Sequence, residues 1–322
     1  MILVTGGLGF IGSHVSRALL DLGERCVIGQ RRIAPVPDFL ADFLTDGAGE
    51  RVVVESMDCT DLAGVLAVGE RHEITGAVHL AAVGLGGAAP LDELWANTLA
   101  LFTVLRAAQV WGVTRMVLAS TIGVYAGVVA GAYREDMPLP VASAHPIPAF
   151  KKSAEILAGA VSGGGLDVVS ARIGAIWGPL GRPASQFFAA PRLIHTAVRE
   201  ADTADDGFAE PTTYADDAID MCYVRDCGRA VALLQTTPSL DHRTYNIGSG
   251  RATSNREIAD AITRAVPGAA PTLVDGRNPH GPSLDGHLDI SRLRADTGYE
   301  PDYDLDRAVA DYVHWLRAGH PR

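Results

Sequence analysis

The sequence predicts an α/β fold: a doubly wound parallel sheet followed by a smaller C-terminal lobe. Short runs of apolar, largely β-branched residues alternate with stretches of helical character, such as residues 91–111. This alternation predicts parallel strands that helices cover on both faces. The predicted strands are residues 2–4, 26–29, 51–54, 77–82, 115–120 and 166–173.

The first strand leads directly into a glycine-rich turn, TGGLGFIG, and then into a helix. Its three spaced glycines allow a tight turn, a close approach of the backbone to a pyrophosphate, and close packing of the helix on the sheet. The N-terminus of that helix would face the anion. We therefore predict a Rossmann-type sheet in which the dinucleotide is contacted by Gly6, Gly9, Phe10, Ile11 and Gly12.

The alternation of strands and helices weakens after residue 175, which predicts a change of domain there. We expect two units, namely an NADP-binding domain over residues 1–175 that the chain re-enters at 221–248, and a substrate-binding lobe over 176–220 and 249–322.

The composition argues against several classes of partner. The chain has 322 residues, 48% of them hydrophobic, and a net charge of −11, which disfavours nucleic acid and anionic membranes. A strand at the N-terminus and the absence of a long apolar run predict a cytoplasmic protein without a signal peptide. The cysteines have no zinc-binding or CxxC spacing, so we expect reduced thiols and no metal at Cys26, Cys59, Cys222 and Cys227.

The end of the second predicted strand decides between NAD and NADP. An acidic residue there would bind the ribose 2′-hydroxyl, but this chain has Gln30, Arg31 and Arg32. Because guanidinium groups suit a 2′-phosphate, we predict NADP(H). Asp58 and the adjacent Cys59 follow the third strand and are predicted to lie near the adenine.

Several further motifs resemble the extended short-chain dehydrogenases/reductases, the group that includes nucleotide-sugar epimerases and dehydratases. Besides the glycine turn and Asn97, they are VHLAA at 78–82, RMVLASTIGVYA at 115–126, RIGAIWGP at 172–179, YVRDCGRAV at 223–231 and YNIGSG at 245–250. The resemblance implies a catalytic Thr121. It also implies cofactor contacts from Leu80, Ala81, Ala82, Ala119, Ser120, Lys151 and Ile176.

The same family carries a Tyr-x-x-x-Lys pair, commonly with a glutamate four residues later. In IPAFKKSAE, Lys151 and Glu155 match that pattern, and the tyrosine falls on Ile147. The alternative register uses Lys152, places Pro148 at the tyrosine position and loses the glutamate. We therefore expect an active site without the usual phenol, in which Lys151 holds the nicotinamide ribose.

Three explanations of the missing acid remain open. Another side chain could donate the proton, with His145, Tyr125 and Ser143 as candidates. A phenolic substrate could donate its own proton while bound in an aromatic pocket lined by Phe150, Trp177, Phe187, Phe188 and Tyr214. Alternatively, the protein could be a non-catalytic NADP-binding regulator, since a fold does not guarantee its chemistry.

An acidic segment leads us to favour the second explanation. Residues 200–224 contain eight acidic residues and no basic one, which would repel a nucleotide diphosphate, although Arg277 could still bind one. We predict an NADPH-dependent ketoreductase acting on an aromatic polyketide in antibiotic biosynthesis, similar to the atypical simocyclinone-type ketoreductases. A nucleotide-sugar epimerase, dehydratase or reductase is the alternative. We predict substrate contacts from Thr121, His145, Phe187 and Tyr214. We expect the protein to be a monomer or a homodimer.

Overall fold

The structure is a computed structural model. It describes residues 1–32, 35–45, 51–82, 89–129, 131–143, 145–183, 185, 188–200, 212–279 and 286–320. Within these residues, every helix is too short or too polar to cross a lipid bilayer. All four cysteines are buried and unpaired with one another.

The first half of the chain alternates strands and helices, as expected. The elements are β1 (Ile2–Thr5), α1 (Phe10–Asp21), β2 (Cys26–Gln30), α2 (Asp38–Thr45), β3 (Val52–Ser56), α3 (Leu62–Arg71), β4 (Gly76–His79), α4 (Pro90–Trp111), β5 (Arg115–Thr121), β6 (Ala132–Tyr133), α5 (Pro146–Val161) and β7 (Asp167–Ile173). A short 3-10 turn (Ile122–Tyr125) follows β5.

The second half contributes shorter strands and several helices. They are β8 (Ala175–Trp177), α6 (Ala190–Glu200), β9 (Ala218–Tyr223), α7 (Val224–Thr236), β10 (Thr244–Ile247), β11 (Ala252–Ser254), α8 (Asn255–Ala265), β12 (His287–Leu288), α9 (Ser291–Thr297) and α10 (Leu305–Arg317). A capping box starts α8, in which the side chains of Ser254 and Glu257 each accept a hydrogen bond from the other's backbone N–H.

Seven strands form one parallel sheet in the order β10-β7-β5-β4-β1-β2-β3. The predicted α/β doubly wound fold is therefore confirmed. The strand order reverses between β1 and β4, and parallel strands bring their carboxyl ends to the same edge, so the loops after these strands form a crevice there. Strand β10 comes from the second half of the chain and pairs with β7.

Two hydrophobic cores cover the faces of this sheet, and a third lies in the C-terminal part. Trp177, Tyr223 and Tyr312 pack edge to face in the third core, with ring centroids 5.1 and 6.3 Å from that of Trp177. Two small sheets complete the described structure, with the orders β11-β9-β8 and β12-β6. The C-terminal helix α10 is amphipathic and packs its apolar face into this core.

Candidate active site

The glycine-rich turn has the backbone geometry that a bound pyrophosphate requires. Gly6 has a φ of +68°, and a Cβ at Gly12 would lie 2.1 Å from the carbonyl oxygen of Gly6. No larger residue fits at Gly12 without moving the turn. Helix α1 begins at Phe10 after a glycine N-cap, so the cap residue has no side chain to shield the first amides. The turn therefore suits an anion at the start of α1.

The ends of β2 and β3 lie beside this turn. Gln30 closes β2, and its side-chain oxygen accepts a weak hydrogen bond from the Leu8 N–H at 3.4 Å. Arg31 and Arg32 follow it with exposed side chains. Asp58 accepts hydrogen bonds from the N–H and the hydroxyl of Thr60, which lower its pKa. The side chains of Arg31 and Arg32 are therefore exposed and follow directly on β2, where the sequence analysis predicts that they bind a ribose 2′-phosphate.

A buried threonine joins β1 to the end of β4. The hydroxyl of Thr5 lies 2.8 Å from Nδ1 of His79 and accepts hydrogen bonds from the N–H groups of Leu80 and Ala81. This arrangement fixes the backbone of the predicted cofactor contacts Leu80 and Ala81 against the glycine turn.

We expect the buried histidines to make folding stability depend on pH. Burial, with a smaller contribution from the charge of Lys151, lowers the pKa of His79 from 6.5 to about 3, and burial lowers the pKa of His14 to about 3 as well. The folded pKa lies below the unfolded one, so their stabilising effect is complete above pH 6.5 and falls as the pH drops toward 3. The slope should be about 1.4 kcal/mol per pH unit for each histidine.

Urea unfolding between pH 7 and pH 5 measures this slope. The His79→Asn variant should be less stable at neutral pH because the bond to Thr5 is altered, but its stability should fall less steeply with acid. An unchanged slope in the variant would show that His79 does not contribute to the pH dependence.

Lys151 lies on α5 at the carboxyl end of β5. Its ammonium donates a hydrogen bond to the carbonyl oxygen of Ala119 at 2.7 Å, and lies 5.5 Å from the ring centroid of Phe150. Burial lowers the pKa of Lys151 to about 8, and the nearby carboxylate of Glu155 partly opposes this shift. The structure therefore holds an ammonium, still largely protonated at neutral pH, beside the strand end that carries Thr121.

A buried ion pair between Arg172 and Glu155 lies next to Lys151 and helps to fix the helix that carries it. Arg172 on β7 donates three hydrogen bonds to the carboxylate of Glu155, at 3.1, 3.1 and 2.7 Å, and the hydroxyl of Ser120 donates to the same carboxylate. Arg172 also donates to the hydroxyl of Tyr125 at 2.8 Å. Because Glu155 lies one helical turn after Lys151, this network fixes α5 against β5 and β7. Ser120, predicted to contact the cofactor, serves in this network.

The structure separates the three side chains proposed as replacement acids. Tyr125 is fully buried, and its hydroxyl accepts a hydrogen bond from Arg172 and donates one to Asn246 at 2.8 Å. It is therefore a structural residue and not the acid that would protonate a substrate. His145 is the N-cap of α5, where its Nδ1 accepts from the Ile147 N–H at 3.2 Å. Ser143 is exposed and donates weakly to the His145 carbonyl at 3.4 Å.

A pocket lies between the N-terminal halves of α4 and α5. It is lined by Ala82, Glu93, Leu94, Asn97, Pro146, Ile147, Phe150 and Lys151. Five of the residues discussed from the sequence therefore come together here: Ala82, Asn97, Ile147, Phe150 and Lys151. Glu93 was missed, because a single glutamate in the first turn of a helix carries no motif.

Other predicted residues lie elsewhere. Trp177, considered as a pocket residue, is buried in the C-terminal core, and Phe188 packs against the same core. Tyr214 is half-buried, and its carbonyl oxygen accepts from the Asn255 side chain at 2.8 Å. Ile176 is on β8, half-buried, and packs against the core of the large sheet. Phe187 lies outside the described residues.

The remaining predicted residues occupy the strand ends. Thr121 closes β5, and its hydroxyl accepts from the Gly123 N–H at 3.2 Å, which starts the 3-10 turn. Cys59 is buried beside Asp58, and burial raises the pKa of its thiol to about 11. Ile11 is half-buried in the first turn of α1.

Comparison with known proteins decides the family. A family model described as the NAD dependent epimerase/dehydratase family matches residues 2–248, which is most of the chain. The chain belongs to the NAD dependent epimerase/dehydratase family.

Relatives within this family resemble the chain over its whole length. A dTDP-glucose 4,6-dehydratase from Streptomyces griseus is 31% identical and is matched over 98% of this chain and 93% of its own. A UDP-glucuronate 4-epimerase from Thermodesulfobacterium geofontis is 26% identical, with 98% and 95% covered. The solved structure of MoeE5 in complex with UDP-glucuronic acid and NAD is 27% identical, with a TM-score of 0.78 and 99% of both chains covered.

These relatives overturn the expected substrate. The prediction of an aromatic-polyketide ketoreductase is wrong, because these relatives, which resemble the whole chain, are nucleotide-sugar epimerases and dehydratases. They favour the alternative prediction from the sequence, a nucleotide-sugar epimerase, dehydratase or reductase.

The structure describes the side chains of three of the eight acidic residues in this segment, Asp216, Asp217 and Asp220. The side chain of Glu200, and Asp202, Asp205, Asp206 and Glu210, lie outside the described residues. Asp220 is buried, and its carboxylate accepts from the N–H groups of Ser249, Gly250 and Leu288. Asp217 accepts from the Asn278 N–H, and Asp216 lies 3.6 Å from Arg256. These three carboxylates therefore contact groups of the lobe itself. A count of charges along the sequence does not measure the potential at the pocket.

Proposed function

We propose that the protein is a nicotinamide-dinucleotide-dependent enzyme that oxidises or reduces a carbon of the sugar in a nucleotide sugar. The observation that carries this proposal is the whole-length similarity to nucleotide-sugar epimerases and dehydratases, at 26–31% identity. It is supported by the position of the Lys151 ammonium in a pocket at the carboxyl edge of the sheet. Ligands of open α/β sheets bind in that crevice.

The residues around the glycine turn fit a dinucleotide. In this proposal, the amides at the start of α1 hold the pyrophosphate, while Leu80, Ala81 and Ala82 lie along the nicotinamide ribose. When bound, the dinucleotide supplies the hydride acceptor or donor. Lys151 orients the ribose through its ammonium, and Thr121 contacts the hydroxyl or carbonyl oxygen of the sugar.

The residue four positions before Lys151 distinguishes this chain from the Tyr-x-x-x-Lys pattern of the family. We propose that Ile147 stands where the family tyrosine would stand, one helical turn before the lysine. An isoleucine presents an apolar wall and carries no proton. The proton transfer that general acid–base catalysis needs must then come from another group at the pocket.

The first experiment is a direct assay of nucleotide sugars. Purified protein is incubated with UDP-glucuronate, UDP-glucose or dTDP-glucose and each oxidised dinucleotide, or with their 4-keto forms and each reduced dinucleotide. The products are separated by chromatography. An epimerised, dehydrated or oxidised sugar supports the proposal. If the protein binds a dinucleotide tightly but converts none of these sugars or their 4-keto forms, the non-catalytic reading is favoured.

We expect the two exposed arginines after β2 to select NADP over NAD. Arg31→Ala and Arg32→Ala should each weaken NADP+ binding about tenfold, since each removes a charge-assisted contact worth about 1.5 kcal/mol, and should leave NAD+ binding within about twofold. Isothermal titration calorimetry with both dinucleotides measures this. Arg134→Ala, an exposed arginine far from β2 in sequence, is the control. If wild-type protein binds NAD+ as tightly as NADP+, the preference is refuted.

A further inference from the structure

Glu93, which no motif of the family assigns, lines the pocket beside Ile147. Of its lining residues, all within the described part of the chain, two have ionisable side chains, Glu93 and Lys151. Apart from Asn97, the others are apolar or small. We propose that Glu93 transfers the proton at the reacting sugar hydroxyl, in place of the phenol absent at position 147. This inference rests on the proposed nucleotide-sugar activity.

The orientation of α4 supports this role. Its first turns expose two large apolar side chains, Leu91 at 75% and Trp95 at 72%, yet leave Glu93 only 6% exposed. Placing a carboxyl group inside and large apolar groups outside reverses the usual preference, because burial of a charge is costly and burial of apolar surface is favourable. The position of Glu93 is therefore not explained by hydrophobic burial of the helix.

The backbone around Glu93 is held in place. Asn97 lies one turn later on the same helix face, and its amide nitrogen donates to the carbonyl oxygen of Glu93 at 2.7 Å. The Glu93 N–H donates to the carbonyl of Ala89, and Pro90 starts the helix. A residue that transfers a proton needs a fixed backbone, because its side-chain carboxyl must lie within hydrogen-bond distance of the reacting oxygen.

Oxidation of a sugar hydroxyl transfers one hydride and one proton, and the components of the proposed reaction can accept both. When a sugar C–OH is oxidised, its C–H leaves as hydride to the oxidised nicotinamide dinucleotide, and its O–H proton passes to the Glu93 carboxylate. The carbon–oxygen bond becomes a carbonyl, and the carboxyl group is then neutral. Reduction reverses both transfers, with Glu93 returning the proton to the forming alkoxide. Lys151 stays protonated and orients the ribose throughout.

A structural role is the competing explanation. A glutamate in the first turn of a helix interacts favourably with the helix dipole, which stabilises the helix without any part in catalysis. Asp92 precedes it in the same turn with an exposed side chain, so it has the dipole interaction without the pocket. Comparing Asp92 with Glu93 therefore separates the two roles.

The test compares Glu93→Gln, Glu93→Asp and Asp92→Asn with the wild type on a nucleotide sugar that the wild type converts. Five quantities are measured: kcat, KM, the melting temperature, and the calorimetric binding constants of the dinucleotide and of the nucleotide sugar with the dinucleotide complex. We expect Glu93→Gln to lose about 10²-fold in kcat, with both binding constants and KM within about threefold. Glu93→Asp should keep part of the activity, and Asp92→Asn should match the wild type.

Two results overturn the role of Glu93 while the proposed function stands. One is a Glu93→Gln variant with kcat within threefold of the wild type. The other is a loss of activity in parallel with melting temperature and ligand binding, which shows a structural residue. A wild-type protein that converts no nucleotide sugar overturns the proposed function instead, and the role of Glu93 with it.

Discussion

Replacing Lys151 by alanine is expected to lower kcat/KM for the nucleotide sugar by about 10²–10³-fold, the usual cost of removing a preorganised charged donor from an active site. Dinucleotide binding should weaken in the same variant, because the ammonium that orients the ribose is lost. Steady-state kinetics and calorimetry measure the two effects. Lys151→Arg should not restore activity, since a planar guanidinium cannot occupy the site of a compact ammonium.

The adjacent lysine is a matched control. Lys152 is buried at 8% exposure, and its ammonium donates to the carbonyl oxygens of Pro140 and Ala142 at 2.6 and 3.2 Å. Lys152→Ala should lower the free energy of unfolding by about 1–3 kcal/mol because these contacts are lost, while kcat of the folded fraction stays near that of the wild type. If both variants lose activity and stability equally, Lys151 has no separate role in the site.

Replacing Arg172 by methionine is expected to destabilise the fold by about 3–5 kcal/mol, because it leaves the Glu155 carboxylate buried without its partner. The side chains of the pair are only 6% and 10% exposed, and their closest atoms are 2.7 Å apart. Urea unfolding at neutral pH measures the loss.

Two further variants test the cause. The double variant Arg172→Met with Glu155→Leu should recover much of the lost stability, since neither charge is then buried alone. Asp136→Asn breaks an exposed pair, Arg134–Asp136, whose side chains are 59% and 54% exposed. That change should cost less than about 1 kcal/mol. An equal loss in Arg172→Met and Asp136→Asn would show that the buried network does not hold α5 in place.

The parallel sheet could be predicted because its information is local. Each strand that the sequence indicated in the first 175 residues occurs within a few residues of its expected limits, from Ile2–Thr5 to Asp167–Ile173. β-branched runs between helical stretches indicate buried parallel strands wherever they occur. The glycine turn was equally clear, since its spacing reflects the geometry of one strand–turn–helix unit.

The substrate prediction failed where it relied on summed properties of a segment. Eight acidic residues in 200–224 indicated repulsion of a diphosphate. In the structure, Asp220 is a buried acceptor for three backbone N–H groups, and desolvation raises its pKa. A carboxylate that accepts such hydrogen bonds serves the lobe's own backbone, so it contributes little to recognition of a ligand elsewhere.

By itself, the sequence determined the fold class, the glycine turn and the spacing of Ile147 and Lys151 by one helical turn, because strand alternation, tight turns and helical periodicity are properties of neighbouring residues. Only the tertiary structure decided which distant side chains meet. It placed Glu93 of α4 in one pocket with Lys151 of α5, and it buried Tyr125 against Arg172 as a structural residue. Such contacts depend on strand order and on the rotation of each helix against the sheet, which no local spacing records.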